Sequence, residues 1–228
     1  YNIEVSGLND IRFYEAVDIA NKAKGYVMGI LPNKVIVSLV EINEKIETED
    51  IVYALKKEFK CNFSNDSIGK VIDIFGNDLI AGKRFENLTE VSIENPVIPI
   101  MDRNDVRREL LTGISGIDLM YPIGKGQRQL IIGDKKTGKT QICLDTIVNQ
   151  KDKNMICIYV AVGKTKKEVK DIYYELTKRG AMSYTIIIAS FNDELPTRTY
   201  LTPYVAASIG ELLMMDGKDE LLVIDDLK

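Results

Sequence analysis

The sequence predicts an α/β domain with a parallel sheet, preceded by a small β-barrel. From residue 129 onward, apolar runs alternate with stretches of helical periodicity, which is the order expected for a parallel sheet with right-handed crossovers. Before residue 67, short β-like runs are separated by turn residues, a rhythm typical of a small barrel or sandwich. We therefore predict a β-barrel over residues 1–66 and an α/β domain over residues 67–228.

The strands predicted in the first region are short and apolar. They cover residues 3–5, 11–16, 26–30, 35–40 and 51–55. A connecting region begins near Ser67 and passes Pro96 and Pro99 before the α/β pattern starts.

Four strands are predicted in the α/β part, at residues 129–133, 155–162, 184–190 and 221–226. The helix after the second strand begins at Thr165, and Glu168 three residues later completes a capping box. Another helical stretch runs to Met215, with Pro196 and Pro203 near its start. Ligands of such sheets bind at the carboxyl ends of the strands.

The most specific motif lies between the first predicted strand and its helix. Residues 133–140 read G-D-K-K-T-G-K-T, which matches the phosphate-binding pattern G-x-x-x-x-G-K-[ST]. In this pattern backbone N–H groups and a helix N-terminus surround a polyphosphate, the lysine reaches the β- and γ-phosphates, and the hydroxyl contacts Mg²⁺. The predicted binding residues are Gly133, Asp134, Lys135, Lys136, Thr137, Gly138, Lys139, Thr140, Gln141 and Lys164.

Two other features are predicted to meet this loop at the same edge of the sheet. Lys164 follows Gly163 at the end of the second strand, and Asp225 and Asp226 end the apolar fourth strand. A carboxylate in that position can hold Mg²⁺, directly or through water, so we predict Thr140 and Asp225 as metal ligands.

Composition excludes several classes of function. A net charge of −4 argues against nucleic acid as the main partner, because such binding depends on clustered Lys and Arg. No apolar run approaches the length of a membrane span. The absence of histidine excludes His-based triads and His metal sites from this segment. Cys61, Cys143 and Cys157 have no metal-binding spacing and indicate buried thiols in a reducing cytosol.

Residues on both sides of the loop resemble the nucleotide-binding domain of the alpha subunit of F-type rotary ATP synthases. The likeness lies in T-G-I at 112–114, P-I-G-K-G-Q-R at 122–128, Y-V-A-V-G at 159–163, A-M-S-Y-T-I at 181–186 and Y-L-T-P-Y at 200–204. It is strong from about Gly69, and weaker over the first region, which matches the family's N-terminal barrel in length and turn placement.

The resemblance implies a P-loop, RecA-like domain in an alternating hexamer of alpha-type and catalytic beta-type subunits around a central shaft. Alpha-type sites hold ATP or ADP with Mg²⁺ and do not turn it over. The implied location is cytoplasmic, with membrane contact only through the larger assembly. Asp134, Lys135 and Thr137 follow the alpha-type loop, whereas Lys136 replaces the family's usual glutamine.

Lys164 departs from both subunit types. The residue after this glycine is the glutamate that positions water in beta-type subunits, and it is normally glutamine in alpha-type subunits. An ammonium can neither accept a proton nor orient water by accepting a hydrogen bond. We therefore expect a site that binds nucleotide tightly without hydrolysing it; the alternative is a lysine that points to solvent at the start of a helix.

Two other classes of protein with the same kind of phosphate-binding loop are alternatives. An active secretion-type export ATPase would carry an acidic residue at position 164, and a translocase resembling the transcription-termination helicase would have a basic RNA channel. The chain begins at Tyr1 rather than Met and ends at Lys228, so we expect the family's C-terminal helical domain to lie beyond it.

Overall fold

The structure is a computed structural model that describes residues 1–227. Its strands are β1 (Asn2–Val5), β2 (Glu15–Ile19), β3 (Ala23–Leu31), β4 (Lys34–Ile42), β5 (Val52–Glu58), β6 (Lys60–Phe63), β7 (Val71–Ile72), β8 (Asn77–Asp78), β9 (Lys83–Arg84), β10 (Thr89–Ser92), β11 (Glu109–Leu110), β12 (Ile123–Gly124), β13 (Met155–Lys164), β14 (Thr185–Phe191) and β15 (Asp219–Asp225). Its α-helices are α1 (Ser115–Met120), α2 (Lys139–Val148), α3 (Lys166–Lys178) and α4 (Pro196–Met215).

The first region folds into a five-stranded antiparallel sheet in the order β1-β4-β3-β2-β5. Closure of this sheet into a barrel stays a prediction. The strand predicted at residues 11–16 is wrong over residues 11–14, which form no strand, and β2 begins at Glu15. The buried Glu15 carboxylate accepts hydrogen bonds from the backbone N–H groups of Arg12 and Lys56, both at 3.1 Å, and so fixes this segment.

The α/β part contains a mixed sheet in the order β15-β13-β14-β7-β8-β9. Strands β15, β13, β14 and β7 are parallel, whereas β8 and β9 add antiparallel pairs. The prediction of a parallel sheet therefore holds for these four strands and is wrong for β8 and β9. β7 lies in the region that we interpreted as a connection, because two residues are too short to produce a strand pattern.

Residues 129–133, predicted as the first strand of this sheet, form no strand, and that prediction is wrong. Leu130 and Ile132 are 74% and 84% exposed. β15 lies at the end of the strand order, and within residues 1–227 no strand pairs with its outer edge. A strand needs the hydrogen bonds of a neighbouring strand, which an apolar sequence does not supply by itself.

The two faces of the sheet are covered by different helices. α2 and α3 pack on one face, where Ile147 and Leu176 are fully buried against Tyr159 and Ile187. α4 covers the other face with Leu201 and other apolar residues. The predicted start of α3 is confirmed, because Thr165 and Glu168 form both hydrogen bonds of a capping box.

α4 also contacts the front sheet. The Arg198 side chain donates a hydrogen bond of 2.9 Å to the backbone carbonyl of Val40, and the hydroxyls of Thr197 and Ser38 lie 3.0 Å apart. The division of the chain at residues 66 and 67 remains a prediction. Within residues 1–227, the structure has no helix that combines the length and apolar character needed to cross a bilayer.

Candidate functional site

The phosphate-binding motif forms a turn that leads directly into α2. Gly138 has a φ of 92°, a conformation that favours glycine, and Lys139 is the first helical residue. The Thr137 hydroxyl donates to the backbone carbonyl of Asp134 at 2.8 Å and closes the turn. A Cβ atom on Gly133 would lie 2.9 Å from the Thr137 hydroxyl oxygen, so a larger residue there would displace the hydroxyl that closes the turn.

The positive groups of this turn converge on its inner side. The Lys139 ammonium donates to the carbonyls of Gly133 and Asp134, both at 2.6 Å, and is thereby folded over the loop. The first N–H groups of α2 have no acceptor within the helix. Together with the helix dipole they provide an environment for an anion.

Other predicted binding residues of the loop lie at its surface. Asp134, Lys135 and Lys136 are exposed. The Gln141 side chain donates to the Asp145 carboxylate at 2.9 Å and therefore runs along α2. Lys135 and Lys136 add positive charge around the loop, and the Gln141 amide is engaged along the helix.

Asp225 connects the loop to the sheet. The Thr140 hydroxyl donates to Oδ2 of Asp225 at 2.9 Å. Lys164 lies beside the same carboxylate, with 3.2 Å between Nζ and Oδ2 of Asp225 and 3.9 Å between Nζ and Oδ1 of Asp226. The structure thus brings together Thr140, Lys164 and Asp225, which are distant in sequence.

Lys164 does not point to solvent, and this alternative is wrong. Its side chain is only 15% exposed. Gly163, with a φ of 61°, turns the chain at the end of β13, and its N–H donates to the Ser190 hydroxyl at 3.2 Å. α3 begins two residues after Lys164, so the lysine is fixed between a strand end and a capped helix start.

Tyr159 is a site residue that sequence reasoning missed. It lies in the middle of β13, is fully buried, and donates its hydroxyl hydrogen to Oδ2 of Asp225. Burial first, and then this bond to a carboxylate, raises the pKa of Tyr159 well above its usual range, so the hydroxyl remains a donor at neutral pH. A tyrosine within an otherwise aliphatic strand was the available signal, because a buried hydroxyl requires a partner.

The charge of Asp225 is set by competing effects. Burial raises its pKa, but the hydrogen bond from Tyr159, the positive charge of Lys164 and the bond from Thr140 outweigh burial and keep the pKa of Asp225 below its usual value. The carboxylate is therefore ionised at neutral pH.

The donor groups fit a magnesium ion only in part. A hydroxyl and a carboxylate are the oxygen ligands that Mg²⁺ takes from a protein when phosphates supply others. The ammonium of Lys164, however, already lies beside the Asp225 oxygen and would repel a second cation. Within residues 1–227, His, Cys, Asp and Glu side chains form no group of three that could hold a metal ion.

The cysteines lie apart from this chemistry. All three are free thiols. Burial raises the pKa of Cys61 and Cys157 to about 12 and that of Cys143 to about 11. These thiols are therefore protonated at neutral pH. The prediction of buried thiols is confirmed for Cys61 and Cys157, whereas Cys143 is only partly buried.

Comparison with known proteins gives a consistent result. Residues 113–228 match the ATP synthase alpha/beta family, nucleotide-binding domain. The chain is 40% identical over 226 residues to ATP synthase subunit alpha of Mycoplasmoides gallisepticum, and this match covers 99% of the chain. It is 42% identical over 224 residues to the protein of the same name from Clostridium botulinum strain Hall, and 41% identical to that of Acetivibrio thermocellus.

These alignments also show how much of each relative's length the chain covers. The chain spans 44% of the length of each of these three relatives. Since the family match covers half of the chain and the alpha-subunit matches cover nearly all of it, the chain belongs to the ATP synthase alpha/beta family, and the relatives it resembles are alpha subunits.

Proposed function

We propose that this chain forms the nucleotide-binding part of a noncatalytic, alpha-type subunit of a rotary ATPase or ATP synthase. It holds ATP or ADP, with Mg²⁺, on the loop of residues 133–140. The bound nucleotide stabilises the subunit and is not consumed there. Its partners are catalytic beta-type subunits in an alternating hexamer and a central shaft subunit. The subunit lies in the cytoplasm and contacts the membrane only through that assembly.

The observation that carries this proposal is the meeting of three elements at Asp225. The start of α2, the end of β13 and the end of β15 contribute Thr140, Lys164 and the carboxylate itself. Strand ends of a parallel sheet beside a helix N-terminus are a usual site for polyphosphates. Lys139, already folded over the loop, supplies the charge for the β- and γ-phosphates.

Magnesium would be held by the Thr140 hydroxyl and Asp225. When bound, the ion would neutralise phosphate charge. The chain's own residues perform the remaining tasks: the loop N–H groups orient the phosphates, and Tyr159 and Thr140 position the carboxylate.

The noncatalytic role rests on Lys164. In beta-type subunits, the equivalent position carries the glutamate that positions water. Here an ammonium is paired with Asp225, and an ammonium has no lone pair to accept a proton. Next to Asp225 there is therefore a cation at the position where ATP hydrolysis would require a general base.

Nucleotide binding is tested by Lys139→Ala in the full natural protein. Nucleotide at 100 times its dissociation constant should raise the stability of the wild-type protein by about 2.7 kcal/mol, because ligand binds only the folded state. The variant should lose most of this gain, measured as the nucleotide-dependent shift in Tm. Lys167→Ala removes an exposed lysine on α3 and is the control. An equal shift in Lys139→Ala and wild-type protein would contradict the site.

The absence of turnover is tested in the assembled complex. The beta-type sites are disabled by mutation, and single-turnover hydrolysis of labelled ATP bound to this subunit is followed. We expect bound ATP to persist, with no product above that of the protein-free solution. Stoichiometric ADP formation at this subunit would refute the noncatalytic role.

A further inference from the structure

The Asp225 carboxylate has an unusual set of neighbours for a magnesium-binding group. Its Oδ2 atom accepts from the Thr140 hydroxyl at 2.9 Å and from the Tyr159 hydroxyl, and it lies 3.2 Å from the Lys164 ammonium. Three donors therefore converge on one oxygen. One of them carries a full positive charge, which the two hydroxyls do not.

Lys164 cannot easily leave this position. Its side chain is 15% exposed, and that of Asp225 is 11% exposed. The backbone on its two sides is fixed by β13, which pairs with β14 and β15, and by the capping box of α3. A magnesium ion that entered beside Asp225 would face this ammonium at close range, in a partly buried setting where like charges repel strongly.

The Lys164 ammonium also carries the positive charge that favours the binding of a polyphosphate. It pairs with the same Asp225 oxygen that accepts from Thr140 in the first turn of α2, and it also lies 3.9 Å from Oδ1 of Asp226. An ammonium provides three hydrogen-bond donors, so it can contact a phosphate oxygen as well as these carboxylates. Charge-assisted hydrogen bonds to phosphate are stronger than neutral ones. Lys164 is therefore placed to take over part of the role of the divalent ion.

We propose that Lys164 serves as a built-in cation that makes nucleotide binding at this loop largely independent of Mg²⁺. This inference rests on the proposed function and specifies it further. The nucleotide still binds with Mg²⁺ when the ion is present, but its affinity does not require the ion.

The experiment compares ADP affinity with Mg²⁺ and with EDTA, by equilibrium dialysis, in the full natural protein and its Lys164→Gln variant. In wild-type protein the two affinities should agree within about threefold, whereas in Lys164→Gln the affinity with Mg²⁺ should exceed that with EDTA by about tenfold or more, a coupling of usual size. Lys164→Arg keeps the charge and should behave like wild type, even if the glutamine variant folds poorly.

Lys166→Gln is the matched control. It removes the same charge two residues away, from a side chain that is 70% exposed and pairs with Asp193 at 2.9 Å. It should leave the ratio of the two affinities unchanged. A wild-type protein that needs Mg²⁺ as strongly as Lys164→Gln would overturn the inference while leaving the nucleotide site intact. Failure of wild-type protein to bind ADP in either condition would overturn the proposed function, and the inference with it.

Discussion

At the scale of single residues, Asp225 shows how a buried charge is made tolerable. A carboxylate on a side chain that is 11% exposed would be costly if it lacked partners. Here the Thr140 and Tyr159 hydroxyls and the Lys164 ammonium surround one of its oxygens, so the charge is both hydrogen-bonded and paired. The position and the ionisation of the group that meets the loop are thus fixed before any ligand arrives.

Some residues of this site could be predicted from the sequence and others could not. The meeting of Thr140 and Asp225 was predictable, because the loop motif contains the first residue and an apolar run that ends in acid marks a strand end at the second. Lys164 and Asp225 were expected at the same edge of the sheet, but their direct ion pair was not predicted, because adjacency of β13 and β15 depends on sheet order, which local patterns do not determine. Tyr159 was missed because hydrophobic periodicity treats tyrosine as an apolar residue.

At the scale of elements, the start of α3 controls the position of Lys164. The Glu168 carboxylate accepts from the backbone N–H of Thr165 at 2.8 Å, and the Thr165 hydroxyl accepts from the backbone N–H of Glu168 at 3.2 Å. Two N–H groups that the helix leaves unpaired are satisfied in this way. The cap stabilises the helix and holds the chain that emerges from β13.

Thr165→Ala should lower the free energy of unfolding by about 1 kcal/mol, because it removes the capping hydroxyl. Urea denaturation, followed by far-UV circular dichroism, measures the change. Thr177→Ala is a control in the last turn of the same helix, where the hydroxyl donates only to the Tyr173 carbonyl at 2.7 Å. Its effect should stay within about 0.5 kcal/mol. Equal losses in the two variants would show that the cap does not stabilise α3.

Some helices and strands could be predicted from local sequence patterns and others could not. The start of α3 was predicted correctly because its signal, the capping box of Thr165 and Glu168, is local to the helix terminus. Residues 129–133 have the composition of a buried strand, yet Leu130 and Ile132 are exposed, because pairing depends on a neighbour elsewhere in the fold. β7 and β8 were missed for the opposite reason: β7 becomes a strand by pairing with the distant β14 and β8 by pairing with β7, although two residues carry no strand pattern of their own.

At the scale of the whole molecule, one core connects the front sheet to the α/β sheet. The cluster contains Tyr26 and Val40 from the front sheet, Ile158 and Ile188 from the parallel strands, and Leu201 from α4. The face of the parallel sheet under α2 and α3 has a separate core, which includes Leu176. We therefore expect the front sheet and α4 to open as one cooperative unit, although the sequence changes texture near residue 66.

Leu201→Ala tests this cooperativity, because it removes a fully buried side chain from the connecting core. The cavity should cost about 2–5 kcal/mol. Hydrogen exchange, followed by mass spectrometry, should speed up both in α4 and in β4 of the front sheet. The matched control is Leu176→Ala on α3, an equally buried leucine of the separate core, which should speed up exchange in α3 with little change in β4. If Leu201→Ala leaves exchange in β4 unchanged, the front sheet and α4 open independently and the expectation is wrong.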